Sequence, residues 1–117
     1  MQSVTSNAVA KANSYSTTEH KTGRYCDNKP TYEKYFFKNK SEFPIATGIT
    51  NVDRVVSVRA IAKSSNNNFS LPYYTLSGGT SYYGAIYFNS SNGNCYIETN
   101  LSISTVGFTV EYTKTTD

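Results

Sequence analysis

Eight carboxylates, one histidine and two cysteines are the residues of this 117-residue chain that could carry acid–base, nucleophilic or metal chemistry. The acids are Glu19, Asp27, Glu33, Glu42, Asp53, Glu98, Glu111 and Asp117. Glycoside cleavage would need two of them about 5–10 Å apart across a groove. Glu98 and Glu111 are the best pair, because their predicted strands could be neighbours. Both fall on predicted solvent faces, where partnership with a cross-strand Lys or Arg is the simpler role. His20 follows Glu19 at a predicted strand start, and no Gly-x-Ser-x-Gly turn accompanies it, so it reads as a lone exposed histidine and not as a triad base. Cys26 and Cys95 are too few for a zinc site or a disulfide framework, and two free, buried thiols are expected. Gly78-Gly79 opens no helix, so no phosphate cradle is predicted. The reading is non-enzymatic: no catalytic residue, no cofactor and no metal.

The residues that suggest function are the tyrosines. The chain has 11 Tyr and no Trp, with 15 Ser, 15 Thr and 12 Asn. Tyr73, Tyr74, Tyr82 and Tyr83 flank a flexible tip at Ser77–Ser81, and Asn66, Asn67 and Asn68 precede it. Tyr presents a large amphipathic surface at low entropic cost, while Asn and Ser supply adaptable hydrogen bonds. Binding residues also concentrate on loops. Tyr73, Tyr74, Tyr82 and Tyr83, with Asn67 and Asn68, are therefore the candidate ligand-binding set. The competing reading is that these rings fill a small core that lacks Trp.

Charge narrows the partners. The net charge is +3 and the lysines are scattered, whereas nucleic-acid binding calls for a clustered basic stripe. No run of about 18 apolar residues is present, so no membrane insertion by a helix is expected. The N-terminus lacks the charged start and apolar run of a signal peptide. The four Asn-x-Ser/Thr matches, at Asn39, Asn68, Asn89 and Asn100, are read as chance products of the composition.

These residues need elements to position them. Residues 1–15 are the helical candidate: Ser6 can cap, and Val4, Ala8, Ala12 and Tyr15 share a face. Two to three turns are too few to stand alone, so the segment is either a fraying arm or a small-residue face, with Val4, Ala8, Val9 and Ala12, that packs against copies of itself. Residues 16–117 read as one β domain. His20–Cys26 and Thr31–Lys38 form an aromatic hairpin about Asp27-Asn28, with Tyr32 and Phe36 on one face and Tyr35 and Phe37 on the other. Asn39–Asp53 is a loop anchored by Phe43, Ile45 and Ile49. Arg54–Lys63 is a central strand with Val56, Val58, Ala60 and Ala62 on one face and Val55 and Ile61 on the other. Asn92-Gly93 marks a second hairpin, and Leu101 and Ile103 are read as an edge strand. Val106–Thr113 alternates Val106, Phe108, Val110 and Tyr112 against Gly107, Thr109, Glu111 and Thr113, one buried and one wet face. Short strands with turns every eight to twelve residues predict an all-β antiparallel sandwich, jelly-roll-like in one version, behind a short N-terminal helix.

Three stretches in this order resemble a known group. They are Ser3-Val4-Thr5-Ser6-Asn7-Ala8-Val9, then Tyr15-Ser16-Thr17-Thr18-Glu19 with Asp27-Asn28-Lys29-Pro30-Thr31-Tyr32, and finally Val110-Glu111-Tyr112-Thr113-Lys114-Thr115-Thr116-Asp117. The arrangement is similar to the C-terminal region of tail-fibre and receptor-binding appendage proteins of tailed bacteriophages and prophages. Tyr25 stands where those proteins carry Trp, Cys26 replaces an apolar residue, and Asn28 replaces a turn Gly that it can mimic. The resemblance implies a virion protein, commonly a homotrimer joined to other tail proteins, that recognises a bacterial cell-surface glycan or protein. It supplies no ligand residues. A purely structural virion cap, and more remotely a small glycan-degrading enzyme, are the alternatives.

Overall fold

The computed structural model describes residues 17–117. The helix expected over residues 1–15, with Val4, Ala8, Val9 and Ala12, lies outside the described residues. Nine strands follow: β1 (His20–Cys26), β2 (Lys29–Asn39), β3 (Ile45–Ala46), β4 (Val52–Ser64), β5 (Asn67–Leu71), β6 (Tyr73–Ser77), β7 (Thr80–Asn89), β8 (Asn94–Thr99) and β9 (Thr105–Lys114), with one 3-10 turn at Lys40–Glu42. All pairings are antiparallel. They make a five-stranded sheet in the order β1-β2-β9-β4-β5 and a four-stranded sheet in the order β3-β8-β7-β6.

The hairpins follow turn chemistry. Asp27 and Asn28, both at positive φ, join β1 to β2 in two residues, and Gly78 and Gly79 do the same between β6 and β7. Asp, Asn and Gly tolerate that backbone, whose twist matches the flanking strands. The Asn92-Gly93 hairpin is real, but its loop spans four residues. Asn89 pairs with Asn94, only Gly93 adopts positive φ, and its N–H donates to the Asn89 carbonyl at 2.8 Å.

One core takes side chains from both sheets: Tyr32, Phe36, Ala60, Ala62, Leu71, Val106, Phe108, Val110 and Tyr112 from the larger, Ile45 and Cys95 from the smaller. Phe108 stacks on Phe36 with centroids 4.9 Å apart, and Phe43 tilts onto it at 5.6 Å. Phe69 of β5 meets Tyr73 of β6 at 4.8 Å where the chain passes from one sheet to the other. The expected anchors Ile45 and Ile49 are buried, and Phe43 packs against the core.

Three expectations need correction. Along β4, Val55 pairs with Tyr112 but Ser57 pairs with Glu111, so one extra residue stands between them. This bulge turns the pleat over: Val55 packs on the core and Val56 is exposed, the reverse of simple alternation. Leu101 and Ile103 belong to no strand, and Ile103 packs against the core instead of forming an edge. Finally, the second face of β9 is wet only at the end with Thr105 and Gly107. The strand lies between β2 and β4, and Thr109, Glu111 and Thr113 are buried beneath neighbouring side chains as fully as the apolar residues on the other side.

Candidate binding surfaces

The hairpin of β6 and β7 sorts the predicted tyrosines by register. Tyr74 pairs with Tyr83 and Tyr73 with Gly84, while Tyr82 stands opposite Thr75. Since side chains alternate across the pleat, Tyr74 and Tyr83 share the outward face, whereas Tyr73 and Tyr82 lie on the core side of the sheet, Tyr82 still exposed near the hairpin tip. Tyr73 is half-buried against Phe69 and serves the core. Gly84 lies beneath this packing, where a Cβ would come within 2.8 Å of Leu71. Asn67 and Asn68 are consecutive strand residues of β5, on opposite sides of the other sheet. The predicted set is thus divided into an outward pair, a core-side pair and two distant amides.

The outward face contains more than was predicted. Tyr87 pairs with Tyr96, and their rings stack at 5.3 Å. The Tyr96 hydroxyl accepts a hydrogen bond from the Asn92 amide at 2.8 Å. Tyr74 is 69% exposed and Leu76 64%, and Tyr83 and Tyr87 are also exposed. The alternation Tyr83, Ala85, Tyr87 was a readable signal for this extension. Tyr96 and Leu76 needed the strand pairing.

A second surface lies on the outer side of the five-stranded sheet. Phe37, Gly107, Ile61 and Ser70 form a row of paired residues across β2, β9, β4 and β5. Gly107 carries no side chain, so the row has a gap between Phe37, 63% exposed, and Ile61, 51% exposed. A Cβ on Gly107 would stand 2.7 Å from the Tyr35 hydroxyl, so this ring lies across the glycine. The next row is Asn39, Thr105, Lys63 and Asn68. All of these but Asn39 line a trough of about 820 Å³, which also takes in Arg59 but no carboxylate.

Farther along the same face, Glu33 and Glu111 stand directly opposite each other on β2 and β9. Like charges so placed repel, and two arginines answer them. Arg24 donates to Glu111 at 3.2 Å and to Glu33 at 3.0 Å; Arg59 donates to Glu111 at 3.1 Å and also to Glu33. Thr31 donates to Glu111 at 2.8 Å. Burial pushes the Glu111 pKa up, but the Thr31, Arg24 and Arg59 hydrogen bonds outweigh it and hold the carboxyl below its ordinary value. A general acid needs the opposite shift. Gly23, at positive φ, sits in the irregular stretch of β1 that precedes Arg24. The expected Arg partnership of Glu111 is therefore present, and Glu98 lies in the other sheet.

His20 is half-buried, not exposed: Nε2 stands 3.8 Å from Glu33 and Nδ1 3.2 Å from the Thr18 carbonyl. Both cysteines are free. Cys95 is buried and its thiol is pushed up to about 12 by desolvation, but Cys26 is only half-buried. Among the described residues no three His, Cys, Asp or Glu side chains group as a metal site, and no helix is long and apolar enough to cross a membrane. Comparison of the chain with protein-family models, with curated proteins and with solved structures finds no match in any of the three.

Proposed function

We propose that the chain is a non-enzymatic domain of a phage virion appendage, a tail-fibre or spike tip that attaches to the bacterial surface as a homo-oligomer. The observation that carries this reading is the outward tyrosine face of the four-stranded sheet. Exposed aromatic side chains gathered on a rigid sheet, with amides at one end, suit recognition of a glycan or protein. Supporting it are the tail-fibre resemblance at both ends of the chain and the two-sheet architecture. We read that architecture as a β-sandwich of jelly-roll kind, because β9 inserts between β2 and β4 and β8 pairs with β3. In this reading Val4, Ala8, Val9 and Ala12 join the copies, other tail proteins hold the assembly, and repeated weak sites gain avidity.

The test is binding of purified protein to a panel of bacterial strains. Tyr74→Ala with Tyr83→Ala is expected to weaken adsorption about tenfold or more, the effect of losing aromatic anchors, while the melting temperature holds. The mass by light scattering is expected near 39 kDa, three times 13.0 kDa. Unchanged adsorption with a trimer that Val9→Glu dissociates would instead favour a structural cap.

A further inference from the structure

We propose that the trough over Gly107 is a saccharide site selective for acidic sugars, on the opposite sheet from the tyrosine face and independent of it. The argument begins with the gap. Strands in a sheet are spaced about 4.8 Å apart, so a glycine on β9 leaves a furrow one strand wide between Phe37 and Ile61. Phe37 is the more exposed wall. An exposed ring on a rigid sheet offers a flat face for the C–H surface of a pyranose, the same physics that lets aromatic rings hold other flat partners. The Tyr35 ring lies across Gly107 and brings a hydroxyl to the floor of the furrow.

Charge selects the kind of sugar. Arg59 at one end is occupied by Glu33 and Glu111. Lys63, beside Asn68 and Thr105, has no acidic partner among the described residues, and no carboxylate lines the trough. One uncompensated ammonium beside an amide fits one carboxylate per bound residue, as in a uronic acid. It is too little charge for a nucleic-acid backbone, which is held through several phosphates.

The experiment is a nuclear magnetic resonance titration of the full chain with a galacturonic acid oligosaccharide and with its carboxyl-reduced counterpart. The Gly107, Phe37 and Lys63 amides are expected to shift with the acidic oligosaccharide, which binds about tenfold more tightly than the reduced one, the contribution of one charge-assisted hydrogen bond. Lys63→Gln is expected to abolish that preference, and Phe37→Ala to weaken both ligands. Tyr74→Ala with Tyr83→Ala is expected to change neither, so loss of bacterial adsorption and loss of this site are separable. The proposal is overturned if neither oligosaccharide shifts these amides, if binding survives both Lys63→Gln and Phe37→Ala, or if Phe37→Ala turns an oligomer into a monomer, which would assign the trough to contact between copies.

Discussion

Phe108→Ala is expected to cost about 3–5 kcal/mol, the usual penalty for removing a buried aromatic side chain and leaving a cavity. Phe108 is fully buried on the central strand, between Phe36 of β2 and Phe43 beyond it, and it pairs with Ala60 of β4. An alanine at position 108 would face Ala60, so no large side chain on β4 could collapse into the space. Domains of this size have only about 5–15 kcal/mol in total, so the variant gives up a large share of it. Urea unfolding of wild type and variant measures the difference. Tyr74→Ala, on the exposed tyrosine face, is the control and is expected within about 0.5 kcal/mol of wild type. A loss below about 1 kcal/mol for Phe108→Ala would mean that the two sheets do not share the core described above.

The second large effect concerns the paired carboxylates. Arg59→Met keeps an apolar stem but leaves Glu33 and Glu111 facing each other with Arg24 alone between them. Breaking a buried ion pair costs about 3–5 kcal/mol and an exposed one up to about 1 kcal/mol. Glu111 is buried, Glu33 is half-buried and Arg59 is almost half exposed, so a loss of about 2 kcal/mol at neutral pH is expected. The pH dependence follows from Glu111. Its pKa in the folded chain lies below the ordinary value of 4.5. The stability this provides is present above that ordinary value and is lost as pH falls through the lower, folded one. Arg59→Met removes part of it in advance. The gap between wild type and variant is therefore expected to narrow as urea unfolding is repeated from about pH 7 toward about pH 2. A gap that stays constant would assign the contribution of Arg59 to contacts of its stem.

Much of the larger sheet was legible because β9 alternates cleanly: Val106, Phe108, Val110 and Tyr112 all point into the core. The Asp27-Asn28 turn was legible for a similar reason, since local backbone chemistry determines it. What could not be read was whatever depends on a neighbour. The wet face predicted for Thr109, Glu111 and Thr113 assumed that alternation reports solvent. It reports only opposite sides, and on a central strand the long side chains of Arg24 and Arg59 cover the second side. The bulge at Val56 leaves no mark in a run of valines, because Val55 and Val56 are equally apolar and only the pairing with Tyr112 shows which turns inward. The tyrosines were singled out as one group, which the structure divides. Their division followed from the two-residue turn at Gly78-Gly79, which sets Tyr74 against Tyr83 and leaves Tyr73 inside. The trough had no sequence signal, since Phe37, Gly107 and Ile61 meet only through the order of strands.

That order carries a consequence for biosynthesis. A ribosome makes β2 and β4 long before β9, yet β9 is the strand that separates and joins them. Until residue 114 leaves the exit tunnel, each of the two earlier strands presents an open edge, the condition under which nascent β chains pair wrongly or aggregate. The larger sheet cannot close in stages as synthesis proceeds. It closes after β9 emerges, through contacts between residues distant in sequence, a topology that favours slow folding.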